Sequence, residues 1–375
     1  MDNIFLSSGL AFLITFFAIP VIIEVAKDKK LFDEPGERKV HKAVIPTLGG
    51  LGIFGGFIIA TLIGVPPGSA NVLQYFMAAI MIIFFMGIKD DVLILTATKK
   101  FVGQLIAAGI IIKFGGIQIT NMYGIFGINS LSPTASFLIT LFTIVVITNS
   151  FNLIDGVDGL AGSLGLLTSL IFGFYFYFAG EPLYAVLALS LAGSLFAFLI
   201  YNFHPAKIFM GDTGSLLIGI INSILVIKFI NIASDPLSAI PLESAPALGF
   251  AILLVPLFDT LRVVSYRIFN RRSPFCPDRN HIHHLLLGQG LSHRKIALTC
   301  VSMNILFIGL AYSIRFTGTS IVMLTLAAVA IVMVGIIYFN KPKRKLLVTN
   351  GLLHEETIIK SHKILTLSEE PIEQN

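Results

Sequence analysis

Apolar runs of about twenty residues, parted by short polar stretches, repeat along the chain from Ile4 to Phe339. A run of that length crosses the ~30 Å hydrocarbon core of a bilayer as an α-helix. Eleven such segments are read, near residues 4–26, 46–65, 72–89, 99–116, 134–151, 160–179, 183–201, 213–231, 244–266, 296–314 and 319–340. The fourth is the weakest: only Phe101–Ile112 is uninterrupted before Lys113, so it tilts, stops short or holds Lys113 at the interface. After it, the glycine-bounded GGIQITNMYGIFG alternates and carries β-branched residues, which predicts a small β-hairpin near 117–128. The expected fold class is an all-α polytopic membrane protein with about 11 transmembrane helices. Residues 1–340 form its membrane domain with the loops, and 341–375 a polar tail.

Composition excludes the soluble multi-domain protein that 375 residues would otherwise suggest, with 55% hydrophobic residues and only 13% charged. The mean hydropathy of +0.88 agrees. A net charge of +5 invites a nucleic-acid reading, but placement explains it better. Alternate loops carry Lys27, Lys29, Lys30, Arg38, Lys39 and Lys42, then Lys89, Lys99 and Lys100, then Lys207, then Arg267, Arg271, Arg272, Arg279, Arg294 and Lys295. With the tail they hold 22 of the 26 Lys and Arg, which puts those loops and the carboxyl terminus in the cytoplasm and the amino terminus outside. The first apolar run lacks a basic leader and a small-residue cleavage site, so it reads as a retained helix. Cys276 and Cys300 offer no disulfide framework.

The scarce acids and histidines fall on that same side. Asp90 and Asp91 end the third segment, Asp155 and Asp158 follow the fifth, Asp212 opens the eighth, and His281, His283 and His284 precede the tenth. Carboxylates near hydrocarbon need a positive compensator, and oxygen-only donors favour Mg²⁺, or Mn²⁺, over a softer metal. Singly, each acid could cap a helix or pair with a loop base. Asp155 and Asp158, flanked by Asn149 and Asn152, share a face if that stretch is helical. Gly211-Asp212-Thr213-Gly214-Ser215 opens a span, so its amides could receive phosphate; an N-cap with tight packing explains it nearly as well. His41 and Lys42, held near the membrane by PTLGG, suit an anionic substrate. HIHH at 281–284 has no Cys or Glu at zinc-like spacing and, beside Arg279, reads as a phosphate-contacting loop.

In this order, RKVHKAVIPTLGG, GIKDDVLIL, NSFNLIDGVDGLAG, NFHPAKIFMGDTGS, PLFDT and RNHIHHLLL carry a resemblance across residues 38–287. The chain resembles the polyprenyl-phosphate N-acetylhexosamine-1-phosphate transferase family. It is most similar to the branch that includes bacterial undecaprenyl-phosphate GlcNAc-1-phosphate transferases, and more distantly to the phospho-MurNAc-pentapeptide transferase, from whose three consecutive histidines Ile282 departs. The resemblance implies transfer of HexNAc-1-phosphate, GlcNAc-1-phosphate first, from a UDP-sugar to undecaprenyl phosphate, releasing UMP and initiating an envelope polysaccharide. It implies a bacterial cytoplasmic (inner) membrane protein whose active site faces the cytoplasm.

The implied partners are UDP-N-acetylhexosamine, undecaprenyl phosphate and membrane lipids, with no nucleic acid; a homodimer is left open. Metal ligands are then expected in Asp212, Asp91 and Asp90, and catalytic groups in these three with Asp155, Asp158, His281, His283 and His284. Substrate contacts are expected from His41, Lys42, Asn149, Asn152, Lys207, Gly211, Thr213 and Arg279. Asp259 stands between the site and an ion pair with Arg262. Direct attack and an aspartyl-phosphate intermediate both remain open. Alternatives are an initiator using UDP-GalNAc or a UDP-6-deoxy-HexNAc, and the MurNAc enzyme. A secondary transporter would instead place its acids near the bilayer midplane.

Overall fold

The computed structural model describes residues 2–29, 32–33, 45–93, 95–125, 127–271, 273 and 280–339. His41, Lys42, Cys276, Arg279 and the tail from 340 lie outside the described residues. The chain is largely helical: α1 (Asp2–Asp28), α2 (Gly49–Gly64), α3 (Ala70–Leu93), α4 (Ala97–Lys113), α5 (Pro133–Ile154), α6 (Leu160–Phe178), α7 (Pro182–Asn202), α8 (Gly211–Ala233), α9 (Ala245–Ile252), α10 (Leu254–Phe269), α11 (Ile282–Gly288), α12 (His293–Ser313) and α13 (Thr319–Phe339). Among the described residues 8 helices are long and apolar enough to cross a membrane, and 9 if α9 and α10 make one broken span. The helices α2 and α4 have 16 and 17 residues. At 1.5 Å per residue they reach only about 24–26 Å.

The ninth predicted segment is not one helix. Its halves α9 and α10 meet at an angle of 81°. Pro256 has no N–H to give the Ile252 carbonyl, the partner it would have in a continuous helix. Asn304 on α12 supplies what is missing: its Nδ2 donates to Ile252 O at 2.9 Å, and its Oδ1 accepts from Val255 N at 3.1 Å. Asn304 is fully buried. Asn304→Leu strands two backbone groups and is expected to cost about 2–5 kcal/mol. Denaturant unfolding in detergent measures this; unchanged stability would show that the bend needs no support from α12.

Burial separates inner from outer helices. Within their most apolar windows α7 is 83% and α8 78% buried by protein, against 22% for α1 and 17% for α13, which are left to lipid. Glycines bring backbones against α8. A Cβ on Gly50 of α2 would lie 2.3 Å from Gly214 N, and one on Gly87 of α3 2.5 Å from the Thr213 Cα. The end of α3 is thereby pressed onto the start of α8. Lys228, inside a predicted span, lies over the Tyr184 ring at 5.0 Å.

A hairpin forms where one is expected, displaced along the chain: β3 (Asn121–Ile125) pairs antiparallel with β4 (Ile128–Ser130). The preceding residues are bound to α5 instead. Ser136 Oγ donates to Ile119 O at 2.6 Å and Ile119 N donates to Thr140 Oγ1 at 2.9 Å, so pairing begins only at Asn121. A second, unpredicted pair joins β1 (Phe32–Asp33) to β2 (Ile45–Pro46), and Phe209 N donates to Pro46 O at 2.7 Å. That bond ties the segment before α2 to the segment before α8.

Candidate active site

The carboxyl ends of α3 and α5 and the amino ends of α4, α8 and α12 meet at one end of the bundle. Asp90 and Asp91 are neighbours on the last turn of α3, about 100° apart around the axis, and face different partners. Asp91 turns to α8. Its Oδ1 accepts from Asp212 N at 2.7 Å, and its Oδ2 accepts from Thr213 N at 3.1 Å and Thr213 Oγ1 at 2.5 Å. A carboxylate thus satisfies free amides of a helix start and the positive end of its dipole. Gly211 permits the approach: its φ is +72°, and a Cβ there would lie 2.7 Å from both Asp91 oxygens.

Asp90 turns to α4. Its Oδ1 accepts from Leu95 N at 2.5 Å, and its Oδ2 pairs with the Lys100 ammonium. Lys100 Nζ also lies 2.6 Å from Asp212 Oδ2, so one cation bridges carboxylates from α3 and α8. Asp155, the last-turn cap of α5, faces the same cleft. Burial, and then the nearby Asp212, Asp91 and Asp158 charges, push its carboxyl up to about 8. Four carboxylates with one ammonium leave an excess of negative charge. Asp90 and Asp212, bridged by Lys100, offer oxygen donors of the kind a hard divalent cation takes.

Asp158 faces elsewhere. The chain leaves helical geometry after Ile154 and re-enters it at Leu160, past Gly159 at φ +77°. The two acids therefore do not share a helix face. Asp158 Oδ2 lies 2.8 Å from His204 Nδ1, and its Oδ1 3.2 Å from His293 Nδ1. Ligand atoms of these three residues lie within 4.8 Å of one another, an Asp/His group, with Asp158 and His293 buried and His204 exposed, able to hold a divalent metal. Two imidazoles suit a transition metal better than Mg²⁺.

The histidine run forms the next wall. His281 Nδ1 lies 2.8 Å from Asp259 Oδ2. The His281 and His283 rings stack at 5.6 Å and 7°. Burial, and then the neighbouring His284, push the His283 imidazole down to about 3, so it is neutral. His283 packs on the Asp155-Gly156 turn, where a Cβ on Gly156 would fall 2.4 Å from its Nε2. His284 is half-buried, with its ring 4.3 Å from that of His283.

The description "glycosyl transferase family 4" matches residues 73–230, a stretch holding Asp90, Asp91, Lys100, Asp155, Asp158 and Asp212. The chain is 34% identical over 347 residues to the decaprenyl-phosphate N-acetylglucosaminephosphotransferase of Mycobacterium leprae, covering 86% of each chain. The polyprenyl-phosphate N-acetylhexosamine-1-phosphate transferase family is the one to which this chain belongs. A Bacillus subtilis protein named as a probable undecaprenyl-phosphate N-acetylglucosaminyl 1-phosphate transferase is 32% identical over 321 residues, 82% of this chain and 85% of that one. The undecaprenyl-phosphate alpha-N-acetylglucosaminyl 1-phosphate transferase of Escherichia coli K12 is 28% identical over 332 residues, 86% and 88% of the two chains.

In this transferase several expected substrate contacts turn inward. The Asp212 and Thr213 amides, expected to meet phosphate, donate to Asp91. Asn149 exchanges amide hydrogen bonds with the buried Gln104 of α4, at 2.7 and 3.3 Å. Asn152 Nδ2 donates to Ser215 Oγ at 3.0 Å, which ties α5 to α8. Lys207 is exposed on the loop between α7 and α8. Lys100, His204 and His293 were not among the expected site residues. Lys100 is indistinguishable in sequence from the other loop bases, whereas His204 and His293 stand out only because the chain has just 8 histidines.

The raised Asp155 carboxyl sets a pH dependence. An acid whose folded pKa lies above its unfolded one stabilises the fold fully below the unfolded pKa and loses that contribution as pH rises through about 8. With EDTA present, wild type is expected to lose unfolding temperature between pH 6 and 8.5, and Asp155→Asn to lose less. Equal losses would remove Asp155 from the charge cluster.

Proposed function

We propose that the chain transfers N-acetylhexosamine-1-phosphate, GlcNAc-1-phosphate before other sugars, from a UDP-sugar to undecaprenyl phosphate, releasing UMP. Family membership and the names of the relatives, which specify N-acetylglucosamine transfer to decaprenyl or undecaprenyl phosphate, support the class. The observation that carries the reading is the convergence of Asp90 and Asp212 on Lys100 at one end of the helices, with the Asp155 carboxyl within range of the Asp212 and Asp91 charges. Eleven crossings are supported by the eight long helices, the bent pair, and the short α2 and α4. Clustered bases in alternate loops support an acid cleft that faces the cytoplasm of a bacterial inner membrane.

A lipid-phosphate oxygen attacks the β-phosphorus of the UDP-sugar. The bond from that phosphorus to the bridging oxygen breaks, and UMP leaves with the electron pair. With a second pKa near 6, a phosphate monoester is already largely dianionic at neutral pH, so the main tasks are neutralisation and alignment. Asp212 and Asp90 would hold Mg²⁺, which when bound offsets the diphosphate charge, with the Asp155 carboxyl nearby. Asp91 fixes the start of α8 and so aims Asp212, while Lys100 keeps Asp90 and Asp212 in register. His281 and His284 approach the diphosphate, and His283 fixes the Asp155 turn. Lys207, with His41, Lys42 and Arg279 from outside the described residues, completes the substrate contacts, and Asn152 ties α5 to α8 beneath them.

Purified protein supplied with Mg²⁺, undecaprenyl phosphate and a panel of UDP-sugars is expected to release UMP and form a lipid-linked sugar with UDP-GlcNAc. Release only with UDP-MurNAc-pentapeptide would move the chain to the peptidoglycan branch. No turnover with any sugar would overturn the reading.

A further inference from the structure

We infer that Asp259 is a positioning residue for His281, holding the imidazole so that Nε2 is the ring nitrogen offered to the substrate; this rests on the transferase reading above. Asp259 lies on α10 and is only 1% exposed. Its Oδ2 meets His281 Nδ1 at 2.8 Å, and its Oδ1 accepts from Ile282 N at 2.8 Å and from Arg262 Nη2 at 2.9 Å. The same Arg262 nitrogen donates to the Asn280 carbonyl. One carboxylate and its arginine therefore clamp His281 and the residue on each side of it.

That clamp is needed locally. His281 has φ −61° and ψ 152°, an extended conformation just outside α11, so its orientation is not imposed by a helix of its own. The clamped ring is held on one face by the parallel His283 ring, itself wedged against Gly156 beside Asp155. Asp259 thus reaches the acid cleft through two stacked imidazoles. A carboxylate at Nδ1 keeps the proton on that nitrogen and leaves Nε2 to face a ligand. If the ring gains a proton, the carboxylate stabilises the imidazolium that would donate to a phosphate oxygen. An ion pair serving only to fasten Arg262 would not require the second oxygen to meet an imidazole.

A double-mutant cycle tests this. Asp259→Asn keeps the shape but sets an amide N–H against Nδ1, and is expected to lower kcat for UMP release about 10–100-fold, with KM for the UDP-sugar changed less than about threefold. In a His281→Gln background the same change is expected to cost less than about threefold, because the group it positions is gone. Equal losses in both backgrounds would make Asp259 merely structural and overturn the inference. Should Asp259→Asn not fold, ¹⁵N-histidine NMR of the wild-type protein, assigned with His281→Gln, reads the tautomer directly. The neutral His281 ring is expected to carry its proton on Nδ1, and the Nε2-protonated form would overturn the proposal. This spectrum needs no substrate, so it is separable from a failure of wild type to turn over any UDP-sugar.

Discussion

Asp212→Asn is expected to lower UMP release about 10²–10³-fold while leaving the protein folded and its unfolding temperature near that of wild type. The asparagine amide has the carboxylate's shape. It leaves the backbone N–H of residue 212 donating to Asp91, and Lys100 paired with Asp90. It removes one oxygen charge from the centre of the cleft, where Lys100 Nζ stands 2.6 Å from Asp212 Oδ2. Losing that charge also relieves repulsion among Asp90, Asp91, Asp155 and Asp212, which opposes any loss of stability. Calorimetric titration with Mg²⁺ is expected to show weakened binding in parallel. Turnover within tenfold of wild type would take Asp212 out of the centre of the reaction.

The helices were legible because bilayer thickness sets a length that a one-dimensional pattern records. Ten of the eleven expected segments coincide with a helix each. The division of the ninth was not legible, because Pro256 lies in an apolar run and its compensating partner, Asn304, is 48 positions later in the chain. The site shows the same division between local and distant information. Clustering of acids at one membrane face was visible from their scarcity and from the alternation of loops. Their individual roles depend on what each meets. Asp90 and Asp91 are chemically identical neighbours, yet one pairs with a lysine and the other receives a helix start. Asp155 and Asp158 diverge because α5 stops at Ile154, before either of them. Asn149 is consumed by Gln104, a residue that reads in sequence as one polar position on a weak apolar segment. Lys100 counted toward topology in the sequence, and only the fold brings it between two carboxylates.

Asp91→Ala is expected to lower transfer as far as Asp212→Asn does, but by a different route that unfolding measurements separate. The Asp91 carboxylate takes the Asp212 and Thr213 amides and the Thr213 hydroxyl, and Thr213 is fully buried. Without it those donors face an apolar methyl and the start of α8 loses its only described carboxylate cap. A hydrogen bond to a charged group contributes about 1.5–3 kcal/mol, and desolvation of the carboxylate offsets part of the sum, so a loss of about 2–4 kcal/mol is expected. Asp91→Asn is expected to fall between, because its amide oxygen can accept from one donor while its NH₂ repels the other. The tight packing of Gly87 and Gly50 on α8 leaves little room for water to replace the missing oxygens. Mg²⁺ titration sharpens the contrast: weaker binding without loss of stability is expected for Asp212→Asn, and loss of both for Asp91→Ala. If Asp91→Ala instead unfolds like wild type and loses only turnover, Asp91 acts on the substrate directly and the anchoring role assigned to it fails.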